Sequence, residues 1–240
     1  VIGGGIHGVA VARDAALRGL RVLLVEAGDL ASGTSSRTSK LVHGGIRYLE
    51  TGEFGLVREA LRERSILLAT APALVRPVSF LLPHYRGAGR PRSWIRLGLA
   101  LYSLLARGGP ADLRAHRSVT PGEALALEPG LEPSGLDGAS LFADAQMEDA
   151  RLCVALAMDA AREGLEIHTH TAVVGLARDG DGWRAGLSGA LDGSEREVKA
   201  RFLVNAAGPW ADDVERLAGG TGPGRVRRTR GTHVVVPAVT

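Results

Sequence analysis

The chain has 240 residues, 45% hydrophobic content, a formal net charge of +3 and one cysteine. A single Cys excludes a disulfide framework and a multi-Cys zinc site and fits a reducing, cytoplasmic setting. No uncharged apolar run approaches the roughly 18 residues of a membrane span, and with 29 basic against 26 acidic residues the charge gives no argument for nucleic acid.

The opening, Val1-Ile2-Gly3-Gly4-Gly5-Ile6-His7-Gly8, runs into a helical pattern over residues 9–20 and then into Val22-Leu23-Leu24-Val25-Glu26. This reads as strand, tight turn, helix, strand. Gly3 allows the turn, Gly5 lets the backbone approach a pyrophosphate, and Gly8 lets the helix sit closely on the sheet. Glu26 ends the second strand, where a carboxylate accepts from ribose hydroxyls. FAD and NAD share the ADP half that this unit recognises, so the motif alone does not separate them.

Residues 28–41 are polar, with Thr34, Ser35, Ser36, Ser39 and Lys40 offering hydroxyls and donors, and fit either a loop near the cofactor or a solvated linker. Next comes Leu41-Val42-His43-Gly44-Gly45-Ile46-Arg47-Tyr48, a glycine pair flanked by an imidazole, a cation and a phenol. Residues 53–74 read as a helix, with Leu56, Val57, Ala60, Leu61, Leu67 and Leu68 on the apolar stripe and Arg58, Glu59, Arg62, Glu63 and Arg64 opposite. Residues 78–82 read as a strand closed by Pro83. Residues 90–107, apolar between basic ends, fit either a core helix or a helix lying on a membrane surface. A short helix is expected over 123–127.

Residues 149–164 read as an amphipathic helix carrying Cys153 as a buried thiol. Residues 166–174 alternate like one strand, which would put His168 and His170 on one face. With no acid or Cys at a supporting spacing, no metal site is expected there. The pattern through Trp183 and Leu187 suggests a small antiparallel hairpin set. Residues 202–206 read as a buried strand, followed by the turn Ala207-Gly208-Pro209-Trp210 and a helix over 211–218. That turn suits either the adenosine half of a cofactor or a plain strand-to-helix connection.

The sequence resembles the FAD-dependent glycerol-3-phosphate dehydrogenases, within the glycine oxidase and D-amino-acid oxidase flavoprotein superfamily. The resemblance is carried by residues 1–26, by 34–50, by Phe80-Leu81-Leu82-Pro83-His84 and by Asp144-Ala145-Gln146-Met147-Glu148-Asp149-Ala150-Arg151-Leu152. It continues in Asn205-Ala206-Ala207-Gly208-Pro209-Trp210 and in Arg230-Gly231-Thr232-His233-Val234-Val235-Val236-Pro237. His7 stands where the family usually has Asn, and Ala10 where it usually has Gly. The sequence reads as the amino-terminal part of a longer chain, because the family's later half, with a Gly-Gly-Lys-Leu-Thr-Thr segment at the flavin, does not follow; the piece alone is expected to be inactive.

The resemblance implies an α/β fold, a Rossmann-like FAD-binding domain (1–75 and 145–218) with a second, incomplete α+β substrate domain (76–144 and 219–240). It implies FAD held by Gly3, Gly5, Ile6, His7, Gly8, Glu26, Ala27, Thr34, Ser35, Ser36, Ser39, Lys40, Leu41, His43, Gly44, Gly45, Val173, Ala207 and Gly208. The implied reaction is oxidation of sn-glycerol 3-phosphate to dihydroxyacetone phosphate, with hydride passing from C2 to flavin N5 and electrons passing on to a quinone. Arg47 would pair with the substrate phosphate, Tyr48 would supply a hydroxyl beside it, and His233 would serve the reacting oxygen. The bland alternatives are a surface ion pair, a core aromatic and a satisfied strand histidine. Family members bind membranes peripherally, which gives residues 90–107 a use at the inner face of a membrane. Two other readings stand beside this one: a related oxidase of an amino or 2-hydroxy acid, and a catalytically incomplete FAD-binding module. The choice between monomer and homodimer stays open.

Overall fold

The computed structural model describes residues 1–87, 89–106, 116–229, 231–232 and 234. In chain order the elements are α1 (Ile6–Leu17), β1 (Leu23–Val25), β2 (Leu41–Val42), α2 (Phe54–Thr70), β3 (Val75–Tyr85), α3 (Arg92–Leu105), β4 (Arg117–Val119), α4 (Pro121–Leu127), β5 (Leu136–Met147), α5 (Asp149–Arg162), β6 (Glu166–His168), β7 (Thr171–Asp179), β8 (Gly182–Gly189), β9 (Glu195–Ala200) and α6 (Ala211–Leu217). Short 3-10 turns lie at Thr34–Ser36, Ile46–Leu49 and Gly208–Trp210. Two compact units result. The first holds Val1–Ser39 and Asp149–Thr232; the second holds Lys40–Glu148. The divisions fall at Ser39/Lys40 and Glu148/Asp149, grouping residues 40–75 and 145–148 with the second unit and 219–232 with the first, where the sequence suggested boundaries after residues 75, 144 and 218.

In the first unit, Ile2 bridges Val25 on one side and Asn205 on the other, both parallel, and β1 pairs β6 in parallel. The ladder is closed by Ile2 N–H to Val204 O (2.9 Å), Gly3 N–H to Val25 O (2.8 Å) and Glu26 N–H to His168 O (2.9 Å). Helices α1 and α5 pack together through Val9, Ala12, Ala16, Cys153, Ala157 and Ala160, and this core includes Leu24 and Leu165. The alanines let the two backbones approach closely. Strands β7, β8 and β9 form the expected antiparallel hairpin set, with a bulge between Val173 and Gly175.

The stretch 166–174 is not one strand. It splits into β6 and β7 in different sheets, broken at His170, whose φ of 51° no strand residue adopts. His168 and His170 thus do not share a strand face, and His168 Nε2 pairs with Glu166 Oε1 at 2.7 Å. Nor is 202–206 a buried strand: it makes one parallel bridge, to Ile2, and Phe202 is 81% exposed.

The second unit is built around β5, which the sequence did not announce. Strand β3 runs antiparallel to it along its whole length, from Val75 opposite Met147 to Tyr85 opposite Leu136. Since a strand has only two edges, β2 and β4 share the other edge of β5, at Ala145–Gln146 and Ala139–Leu141 respectively. Strand β3 does not end at Pro83 but continues to Tyr85. Pro77 and Pro83 are an even number of residues apart, so both imino nitrogens point to the same edge, away from the β5 ladder.

Helix α2 buries Val57, Leu61, Arg64, Ser65 and Leu68. Arg64, expected on the polar side, is 1% exposed, and Leu56, expected inside, is 48% exposed. Helix α3 turns Leu99 and Tyr102 inward. Helix α4 starts with a capping box: the Thr120 hydroxyl accepts from Glu123 N–H while the Glu123 carboxylate accepts from Thr120 N–H. No helix among the described residues is long and apolar enough to cross a membrane.

Candidate functional site

In the first unit the glycine turn carries β-strand backbone into α1. Gly3 takes a φ of 111° and Gly8 packs against it; a Cβ on Gly8 would overlap the Gly3 carbonyl oxygen. A Cβ on Gly5 would approach only the Ser35 hydroxyl, at 3.1 Å. Helix α1 has no side-chain cap at Gly5 and no acid in its first turn, so its positive end is open to an anion. Ser35, on the Thr34–Ser36 turn, accepts the Ile6 N–H with its Oγ at 2.9 Å. That hydroxyl keeps its own proton to donate to a phosphate oxygen.

Glu26 is oriented on both oxygens: Oε2 accepts from Gly4 N–H at 2.6 Å and Oε1 from Gly28 N–H at 2.8 Å. Each oxygen retains a lone pair for a ribose hydroxyl. Ala27 and His7 are exposed at the same end of the sheet, and Val173 is half-buried on β7 beside the bulge. Ala207 donates to Asn205 Oδ1 at 3.2 Å and leads into Gly208, while the Trp210 ring lies against Gly33. Thr38, which with Ser36 and Ser39 completes the hydroxyl-rich segment, bonds the Asp149 carboxylate through its side chain at 2.8 Å. Asp149 belongs to the 144–152 motif, for which the sequence suggested no role.

Beneath the turn, the Cys153 thiol lies 3.6 Å from Gly4 O, fully buried, and burial together with the nearby Glu26 carboxylate pushes its pKa up to about 11. It is an inert packing group.

In the second unit, Lys40 adopts a left-handed φ of 57° and its carbonyl accepts from Met147 N–H at 2.8 Å, which starts β2 at Leu41. The chain then makes the His43-Gly44-Gly45 turn. Gly45 has φ 67°, and a Cβ there would strike the Tyr48 ring. Gly45 N–H donates to His43 Nδ1 at 2.9 Å, so the neutral imidazole carries its proton on Nε2 and presents it outward from an exposed side chain. On the following 3-10 turn Ile46 and Leu49 pack against Val57, Leu61 and Tyr102, leaving Arg47 and Tyr48 exposed. An anchored turn thus displays a guanidinium and a phenol side by side.

Under this turn lies a buried polar network that the sequence did not reveal. The Tyr102 hydroxyl accepts the Gly44 N–H at 2.7 Å and donates to the Asp144 carboxylate at 2.9 Å, and Arg64 forms an ion pair with the same carboxylate. Burial, reinforced by the Asp144 charge, drives the Tyr102 pKa far upward, so the phenol stays protonated. Farther along β3, His84 Nε2 meets Ser140 Oγ at 2.8 Å, and burial and the Arg92 charge depress the imidazole pKa.

His233 lies outside the described residues. Among the described residues no group of three or more His, Cys, Asp or Glu side chains is placed to hold a metal ion.

The family model for FAD dependent oxidoreductase matches residues 1–240. The chain belongs to that family. It is 47% identical over 239 residues to glycerol-3-phosphate dehydrogenase 2 of Mycobacterium bovis, covering 99% of this chain and 40% of the relative. It is 46% identical over 244 residues to D-erythritol 1-phosphate dehydrogenase of Brucella abortus, covering 99% of this chain and 46% of that protein. Among solved structures, the glycerol-3-phosphate dehydrogenase of Bacillus halodurans complexed with FAD superposes with a TM-score of 0.67 at 28% identity, covering 90% of this chain and 35% of that one. The chain spans less than half the length of these relatives. The mixed α/β architecture is that of the family's FAD-binding fold. The residues present fit FAD: the open α1 terminus, the Gly5 approach and the Ser35 hydroxyl suit a pyrophosphate, and the oriented Glu26 suits a ribose.

Proposed function

We propose that the protein containing this chain oxidises the secondary alcohol of sn-glycerol 3-phosphate to dihydroxyacetone phosphate. The supporting observation is the exposed Arg47–Tyr48 pair on a turn fixed from below, in a chain 47% identical to a glycerol-3-phosphate dehydrogenase. FAD, when bound, supplies the hydride acceptor. Arg47 offers a permanently charged, forked donor for the substrate phosphate. Tyr48 hydrogen-bonds beside it, and the outward Nε2–H of His43 acts as a donor from the same turn. His233 is assigned to the reacting oxygen. Gly3, Gly5, Ile6, His7, Gly8, Glu26, Ala27, Thr34, Ser35, Ser36, Ser39, Lys40, Leu41, His43, Gly44, Gly45, Val173, Ala207 and Gly208 are assigned to FAD.

Electrons then pass to a quinone, with the protein acting from the cytoplasmic side of a membrane. Support comes from α3, whose outer face exposes Trp94, Leu97 and Leu104 beside Arg96. An amphipathic face with aromatic and basic residues suits an anionic lipid surface. Trp94→Ser with Arg96→Glu is expected to weaken co-sedimentation with anionic vesicles, and unchanged co-sedimentation refutes the membrane assignment.

A second reading, another phosphorylated polyol, is favoured by the Brucella relative. The deciding experiment is the visible spectrum of the full-length protein before and after anaerobic substrate. Bleaching by glycerol 3-phosphate is expected. Bleaching only by D-erythritol 1-phosphate selects the second reading, and peroxide formation from amino or 2-hydroxy acids in air selects an oxidase. Flavin bands that resist every substrate leave a binding module.

A further inference from the structure

We infer that Tyr102 is a positioning residue: its hydroxyl, held by Asp144 against Arg64, fixes the Gly44 backbone and thereby pre-organises the turn that displays His43, Arg47 and Tyr48. The inference rests on the proposed function only for its kinetic consequence.

Gly44 N–H is buried, and its partner is a side chain from α3, 58 positions away, at 2.7 Å. A buried amide without a partner is costly, so the turn needs this oxygen to stay where it is. The oxygen is itself fixed, because the phenol proton is shared by both Asp144 oxygens at 2.9 and 3.0 Å. Asp144 cannot drift, since the fully buried Arg64 guanidinium pairs with it and reaches the Ala143 carbonyl at 3.3 Å. The guanidinium carbon also lies 6.0 Å from the Tyr102 ring centroid, over the ring.

Sterics act in the same direction. A Cβ on Gly44 would stand 2.6 Å from the Leu61 side chain and 2.7 Å from the Tyr102 hydroxyl. Only glycine lets the backbone come close enough to receive that hydrogen bond. Beyond Gly44, Gly45 is bonded to His43 Nδ1, and the Gly45 carbonyl accepts from Tyr48 N–H at 2.8 Å. The phenol therefore anchors Gly44 directly, and the hydrogen bonds that Gly45 makes to His43 and to Tyr48 tie the residues on either side to that anchor. Asp144, in the motif of unassigned role, is the fixed end of the relay.

The test uses the full-length flavin-loaded protein and Tyr102→Phe, which keeps the ring packing and removes one oxygen. A turn that must be ordered anew at each binding event lowers apparent affinity by the fraction already ordered. The expected result is a rise of about tenfold in KM for glycerol 3-phosphate, the worth of about one hydrogen bond, with kcat within twofold. Hydrogen exchange in peptides covering residues 41–49 is expected to quicken about tenfold, on the same footing, while residues 1–39 are unchanged. A merely structural role would instead lower kcat through loss of folded enzyme and leave KM alone; that pattern, or unchanged exchange at 41–49, overturns the inference. Gly44→Ala, whose Cβ would crowd the Leu61 side chain and the Tyr102 hydroxyl and so push the turn off the same anchor, should likewise quicken exchange at 41–49. Should the wild type fail to oxidise glycerol 3-phosphate, the proposed function falls and the exchange data alone decide for or against the positioning role.

Discussion

Arg64 on α2 and Asp144 on β5 are 80 positions apart and form an ion pair with almost no exposure on either side. Removing one partner leaves a buried charge uncompensated, which costs about 3–5 kcal/mol. Asp144→Ala is accordingly expected to lower the unfolding free energy in urea by that amount. Arg64→Met combined with Asp144→Leu should recover most of it, because neither charge then needs solvation. A double variant no better than the single one would contradict this account.

Gly5 and Gly8 separate cofactor binding from folding. Alanine at Gly5 meets only the movable Ser35 hydroxyl, so the fold should survive while the added methyl keeps a pyrophosphate from the α1 terminus. Alanine at Gly8 collides with the Gly3 carbonyl and must displace the turn itself. The thermal midpoint without cofactor is expected to stay near wild type for Gly5→Ala and to fall for Gly8→Ala, with FAD retention on gel filtration lost in both.

Arg47 is exposed and Tyr48→Phe keeps the ring and removes only a hydroxyl, so Arg47→Ala and Tyr48→Phe should each change stability by no more than about 0.5 kcal/mol. Arg47→Ala is expected to raise KM for glycerol 3-phosphate about 100-fold, the worth of a charge-assisted pair. A small KM change with intact flavin reduction would return Arg47 to the status of a surface cation.

Acid stability should depend on His84. Its folded pKa is depressed, first by burial and then by Arg92, with Asp137 opposing. The folded state therefore prefers the neutral ring. The contribution is fully present above the free imidazole value of about 6.5 and is lost as pH falls through the lower folded value. Between pH 8 and pH 5 the urea midpoint of the wild type should decline more than that of His84→Gln, and parallel declines would exclude His84 as the cause.

Much of the first unit was legible because its signals are local. Gly3, Gly5 and Gly8 at fixed offsets, the helical pattern after them and Glu26 at the strand end each state a requirement of the turn they form. The second unit was less legible. Strand β5 is half or fully buried along its length, with three Ala and two Asp among its twelve residues and no Val, Ile or Thr, so it shows neither alternation nor β-branched enrichment. Strand β9, Glu195–Ala200, is too polar to read as a strand without its partner β8. Arg64 was assigned to solvent by its charge, although its spacing from Val57, Leu61 and Leu68 places it on the inner stripe. Tyr102 looked like any aromatic in an apolar helix. What makes it important is a partner on β5 and another before α2, and no window of sequence contains all three.

The two prolines of β3 have a further consequence, outside the site altogether. Along the edge that faces away from β5, positions 77 and 83 offer a neighbouring strand no amide hydrogen. An incoming chain that tried to extend the sheet there would meet gaps in the donor row at both ends of any ladder it attempted. The long strand that organises one side of the second unit is thereby made a poor template for intermolecular β-polymerisation.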